Sequence, residues 1–149
     1  MEEEGARRLE LLAPLLYIPA PALEPFHPGA RPGEGEGKEF LFCFALDESQ
    51  GRSIEPEPSI FLGPLLAAGF ADPAAPGGSL ELPRGPYLFA QEWAFLDREE
   101  TIRMAVEAQK DGLWERLRLE NRLYLRYLSG DGGVVTQIFR PYRPPERET

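Results

Sequence analysis

Arg118, Arg122 and Arg126 recur at every fourth position, with Tyr124 between the last two. They are the chain's most direct route to chemistry. A guanidinium presents a rigid planar fork of donors that matches the two oxygens of a carboxylate or phosphate. In an extended segment, side chains two residues apart share a face, which sets Arg118, Glu120, Arg122, Tyr124 and Arg126 on one side. Arg140 ends the next apolar segment and Arg143 follows it, so a hairpin would add both to the group. Two readings stay open. The face anchors a small anion, with Tyr124 as a stacking surface, or it is the solvated side of a half-exposed sheet balanced by Glu120 and neighbouring acids, which is the simpler account.

A second group is aromatic. Tyr87, Phe89, Trp93, Phe95 and Trp114 gather around one strand-to-helix junction. They either line a pocket between helix and sheet or form the core, the commoner fate of such residues.

Other chemistries find few candidates. His27 is the only histidine and lies between Phe26 and Pro28, so any imidazole base would have to be this loop residue. No serine occupies a G-x-S-x-G turn. One histidine and one cysteine leave no thiolate or imidazole metal site. No phosphate-binding glycine loop is present, and Gly33-Glu34-Gly35-Glu36-Gly37 carries two carboxylates that would repel a phosphate. The sequence therefore gives no catalytic residues, no metal and no cofactor, and a non-enzyme is expected.

The elements that must hold these residues are unevenly distributed along the 149 residues. A chain of this length is one domain. The chain's sixteen prolines and fifteen glycines are unevenly placed, most of them in the first 86 residues, and predict long irregular connections there. Residues 19–37 read as a flexible, solvated loop and 144–149 as a polar tail. Glu2–Leu16 reads either as the start of a helix broken at Pro14 or as leading into a short strand at 15–18. Lys38–Asp47, apolar on both faces, predicts a central strand covered on each side. Ser59–Leu62 predicts a short or edge strand, and Gly63–Phe70 a single helical turn.

From Leu80 onward the pattern is clearer. Leu80–Leu82 and Tyr87–Trp93 read as strand, bent at Pro83–Pro86. Asp97 stands three residues before Glu100 as a capping box. The helix that follows, about 98–117, puts Ile102, Ala105, Val106, Gln109 and Leu113 on one stripe, and Trp114 and Leu117 still fit it. Leu119–Leu128 alternates, with Leu123, Leu125 and Tyr127 opposite the arginine face. Gly130-Asp131-Gly132-Gly133 predicts a hairpin turn, Val134–Arg140 the returning strand, and Pro141 its end. The expected fold is α+β: a mostly antiparallel sheet of about four to six strands with one main helix on one face.

The unit Leu82-Pro83-Arg84-Gly85-Pro86-Tyr87, the helix after it and the closing Ile138-Phe139-Arg140-Pro141 resemble half of a gyrase-inhibitor-like small-molecule-binding domain. In that family two strand-helix-strand-strand units pair around a hydrophobic ligand cleft. The resemblance covers under half of the chain, and residues 1–79 lack a helix of matching length. It implies a ligand cleft, with Glu120 as the counterpart of the family's acidic residue.

Charge narrows the partners. The net charge is −9, all of it in residues 1–96, and nucleic-acid phosphates would be repelled. The start Met1-Glu2-Glu3-Glu4 is not a secretory signal, and no apolar run approaches the ~20 residues that span a bilayer. Cys43 alone cannot form an intrachain disulfide, which fits a reducing compartment and a cytoplasmic protein. The function expected is an interaction or regulatory module with a protein partner, self-association as a homodimer included. The alternative is a binder of a small anionic or aromatic ligand using Arg118, Arg122, Tyr124, Arg126, Arg140, Tyr87, Trp93 and Trp114.

Overall fold

The computed structural model describes residues 6–32, 37–75, 77–130 and 132–143. Its elements are β1 (Arg7–Leu11), β2 (Leu15–Pro19), β3 (Glu39–Leu46), α1 (Pro58–Phe61), β4 (Leu62–Ala71), β5 (Leu80–Leu82), β6 (Gly85–Glu92), α2 (Arg98–Trp114), β7 (Arg118–Leu119), β8 (Arg122–Gly130) and β9 (Gly133–Arg143). Short 3-10 turns occupy Pro28–Ala30 and Gln50–Arg52. The α+β class holds, but the sheet has nine strands rather than four to six.

The strands follow the order β1-β6-β9-β8-β3-β4-β2-β5, with β7 on β9, and every pairing is antiparallel. Arg7–Leu11 pairs with Gly85–Phe89, and Leu15–Tyr17 pairs with Leu80–Leu82. The ribbon 7–19 therefore zips onto the ribbon 80–92, bringing the two ends of the strand path together. The sheet curls into a half-barrel wall with an enclosed face and an outer face.

Both faces are buried. Tyr17, Leu41, Cys43, Leu82, Tyr87, Phe89, Tyr124 and Phe139 fill the enclosed side. Phe42, Phe44, Leu88, Leu123, Leu125, Tyr127 and Ile138 form the outer core with Ile102, Ala105 and Ala108 of α2. This two-sided burial is why β3 is apolar at nearly every position, as its sequence implied.

Helix α2 begins at the expected capping box: Glu100 N–H donates to Asp97 Oδ1 at 2.9 Å, and Asp97 N–H donates to Glu100 Oε1 at 3.0 Å. Its buried stripe is Thr101, Ile102, Ala105, Ala108, Gln109 and Gly112. Gly112 permits the close approach to the sheet, since a Cβ there would sit 2.7 Å from the Leu88 side chain. The helix stops at Trp114 rather than 117. Arg116 adopts φ 64, and Leu117 N–H closes onto Gly112 O at 3.0 Å. Trp114 falls off the buried stripe and is 81% exposed.

The N-terminal half departs most from expectation. Neither a helix before Pro14 nor a helical turn at Gly63–Phe70 forms; both segments are strand. The reverse holds at 58–61, where a short helix with proline in its first turn replaces the expected strand. Strand β9 continues through Pro141 and pairs Leu119 with Tyr142. Pro141 lacks an N–H but still joins the sheet, standing opposite Tyr87 of β6 while its carbonyl accepts from Glu120 N–H at 2.9 Å. Within the loop read as solvated, Phe26 stacks on Phe44 at 5.7 Å and Ala30 is buried, so it covers the outer core. Residues 33–36 of that loop and the tail 144–149 lie outside the described residues. No helix among the described residues is long and apolar enough to cross a membrane.

Candidate functional site

Strand β8 obeys the expected alternation on one side only. Leu123, Leu125 and Tyr127 are buried in the outer core. The opposite side does not meet water as an open sheet face would. It looks into the curl, where β2, β5 and β6 cover it, and Tyr124 is buried. Arg126 is also enclosed: its guanidinium holds Glu39 Oε1 at 2.7 Å and Gln137 Oε1 at 2.9 Å, and Tyr17 hydroxyl donates to the same Glu39 oxygen at 3.1 Å. Burial opposes the Arg126 charge, but Tyr17 and Glu39 outweigh it and raise its pKa. Arg122, nearer the rim, donates to Glu120 Oε1 at 2.6 Å.

Arg140 does not join this group. Tyr124 pairs with Phe139 across the hairpin, so the next residue, Arg140, points to the outer face. There it is only 2% exposed. It donates to Glu120 O at 2.5 Å, Gln109 Oε1 at 2.7 Å and Gly51 O at 3.0 Å. All three acceptors are neutral, and burial lowers its pKa to about 10. Gln109 in turn donates to Gln50 O and Ser53 O, each at 2.7 Å, so this pair pins the 50–53 turn to α2 and the sheet. Arg118 is exposed on β7, directly opposite Arg143.

The aromatic cleft also dissolves. Tyr87 is buried inside the curl, edge-on to Tyr124 and Phe139 with ring centroids 6.2 and 5.6 Å apart. Trp93 is 67% exposed beyond the end of β6, and Trp114 faces solvent at the helix terminus. The sequence placed all three near one junction, but strand parity sends Tyr87 to the face away from the helix.

The enclosed core also carries polar groups. Tyr124 and Cys43 sit opposite each other on β8 and β3. Burial raises the Cys43 thiol and pushes Tyr124 up to about 12. Tyr17 and Tyr87 are raised by burial as well. Cys43 is thus a packed core thiol, a common fate of free cysteine. His27 is exposed, its Nδ1 accepting from Gly29 N–H at 3.0 Å.

The surface offers open clefts instead. One, of about 440 Å³, is lined by Pro19, Pro21, Leu65, Leu66, Ala67, Ala68, Ser79 and Leu80. It forms because β4 pairs with β3 over its length but meets β2 only at Gly69 and Phe70. A second cleft, of about 300 Å³, is polar and lies between the 50–52 turn and the β7/β9 ladder. Sequence reading missed Leu65 and Leu66 because Gly63–Phe70 read as a single helical turn rather than a strand. It missed Arg52 and Asn121, which line the polar cleft, because each sits in a loop without periodicity.

No protein-family model and no curated protein matches the chain. The strand-helix-strand-strand order expected from the gyrase-inhibitor-like resemblance is present. Here, however, it belongs to one continuous nine-stranded sheet, and the described part of residues 1–79 supplies four strands and no second long helix. Glu120, the proposed acidic counterpart, is held by Arg122 and stands 3.7 Å from Arg143.

Proposed function

We propose that the chain is a non-catalytic interaction module that self-associates through the open side of β4. The observation that carries this reading is an uncharged strand edge without a partner. Among the described residues, Leu65 and Ala67 pair with β3 across two irregularities in register, and positions 63–67 have no ladder partner on their other side. Unpaired strand edges are templates for a further strand. The segment Leu62–Ala71 carries no charged residue, so two copies of a strongly acidic chain can approach here with least repulsion. Leu66 is 56% exposed and Leu65 is exposed beside it; adjacent exposed leucines on an open edge are the kind of apolar patch that marks an interface. A two-fold pairing of β4 with its copy is the simplest closed arrangement.

The non-catalytic part rests on how the reactive groups are engaged. The lone thiol is buried and its pKa raised, and the lone imidazole accepts a local backbone hydrogen bond. The test is light scattering on size-separated protein from micromolar to millimolar concentration, with Leu65→Glu and Leu66→Glu. We expect a concentration-dependent dimer in the parent and a monomer of unchanged melting temperature in the double variant. A parent that stays monomeric at every concentration would sink the proposal.

A further inference from the structure

We propose that the apolar cleft beside β4 receives the Leu66 side chain of a second copy of this chain, each copy completing the other's cleft. The inference rests on the self-association through β4 put forward above and specifies what that contact buries. Three chain segments build the cleft, of about 440 Å³: β4 brings Leu65 and Leu66, the end of β2 brings Pro19 with Pro21 after it, and the start of β5 brings Leu80 with Ser79 before it.

The strand edge is the first argument, because it offers side chain more than backbone. Pro64 has no N–H to donate. Cys43 stands opposite Ala67 and Phe44 opposite Leu65, so Leu66 is an extra residue left out of the β3 ladder. A bulge of this kind bends the strand and shortens the ladder a further strand can form. A copy meeting this edge is therefore held chiefly by apolar burial. Leu66 is 56% exposed and Leu65 37%, so Leu66 is the side chain with more surface left to bury.

The recess supplies the second argument. The β2–β4 ladder ends at Pro19 and Gly69, and Ala20 N–H donates to Ala68 O at 2.8 Å. There the chain turns away from β4: Leu23 N–H closes onto Ala20 O at 3.0 Å, with Pro21 in the second position of the turn, which its fixed φ favours. The gap left along β4 is thus walled by proline rings and aliphatic side chains, and it suits an apolar side chain rather than a strand. No lining residue carries a charge, whereas the chain as a whole carries −9, so a copy meets least repulsion through this face. Leu66 lies on the rim of the cleft itself, which makes knob and recess neighbours on one surface. A two-fold contact sets each knob over the other copy's recess, as an isologous interface requires. A one-sided contact would leave one leucine and one cleft uncovered.

The test is analytical ultracentrifugation of the full chain, giving the dimer dissociation constant of the parent, Leu66→Ala and Ser79→Trp. The tryptophan fills the cleft of the copy that carries it and leaves that copy's Leu66 intact. We expect Leu66→Ala to weaken the dimer on the order of a hundredfold, roughly tenfold for each of the two leucines lost. Ser79→Trp should weaken it comparably. An equimolar mixture of the two variants should associate more tightly than either alone, because one intact leucine then meets one intact cleft, while alanine meets the filled one. Leu12→Ala, at a position 83% exposed but outside the cleft, should leave the constant unchanged. All three positions are exposed, and melts of the dilute variants confirm that they fold. A parent that dimerises but is indifferent to Leu66→Ala overturns the inference and leaves the β4 contact standing, as does a mixture no tighter than its components. A parent monomeric at every concentration sinks both and assigns the cleft to an occupant other than this chain.

Discussion

Replacing Arg140 with methionine tests whether a buried cation held only by neutral groups stabilises this fold. The drop of its pKa from 12.5 to about 10 corresponds to about 3 kcal/mol of burial cost at 1.36 kcal/mol per pKa unit. Methionine removes that cost. It also strands Gln109 Oε1 and Gly51 O, which are buried, and Glu120 O, which is part-buried; a buried acceptor left unpaired costs roughly 1–3 kcal/mol. The stranded acceptors together outweigh the relief, and the net loss should be about 3 kcal/mol. For a domain of this size that is a fall of roughly 6–12 °C in melting temperature. Urea unfolding followed by far-ultraviolet circular dichroism is the assay, since both tryptophans are too exposed to report on the core.

The sign with pH follows from the direction of the shift. A depressed folded-state pKa means that the penalty on the charged form is complete at pH 7. It fades as pH rises from about 10 towards 12.5, where the folded protein loses the proton before the unfolded chain does. The gap between parent and Arg140→Met should therefore widen above pH 10. A methionine variant as stable as the parent at pH 7 would show that these acceptors find other donors, and the account of Arg140 as the pin of the 50–53 turn would fail.

Two further outcomes follow from named interactions. Tyr124 is raised to about 12 by burial, so its contribution is complete below about pH 10 and lost as pH climbs towards 12, about 2–3 kcal/mol for this residue. Tyr17, Tyr87 and Tyr127 shift in the same direction and together exceed the opposing effect of Arg140. The protein should unfold at alkaline pH in step with tyrosinate absorbance, and Tyr124→Phe should move the midpoint upward; an unmoved midpoint would refute this. Asp97→Ala removes the side-chain half of the capping box and should cost about 1 kcal/mol, read as a lower urea midpoint with an unchanged slope.

What the sequence revealed and what it hid divide by the kind of interaction involved. The capping box, the α2 stripe, the β3 strand and the β8–β9 hairpin rest on local pattern, and each was legible from a few residues. The closure of 7–19 onto 80–92 depends on pairing between segments about seventy residues apart, and no local pattern announces it. That one long-range fact changed the meaning of the arginine face. Arg122, Tyr124 and Arg126 alternate as a solvated face would, yet Tyr124 and Arg126 are enclosed because strands from the first half wrap over them. Arg126 escapes the cost of burial through Glu39 on β3, a partner no spacing rule could name. Arg140 was misread for a simpler reason: hairpin register, off by one residue, sends a side chain to the other face.

The same closure decides where binding can occur. A curled sheet can hold a ligand inside only if its inner face is lined by side chains small enough to leave space. Here Tyr17, Tyr87, Phe89, Tyr124 and Phe139 project inward, and four of the five are in aromatic contact with one another. Outside, α2 and the segment around Phe26 seal the other core. With both faces packed, an interior ligand would have to displace aromatic rings from close contact. The proposed self-association accordingly uses a margin of the sheet: along β4, among the described residues, ladder pairing with β2 ends at Gly69.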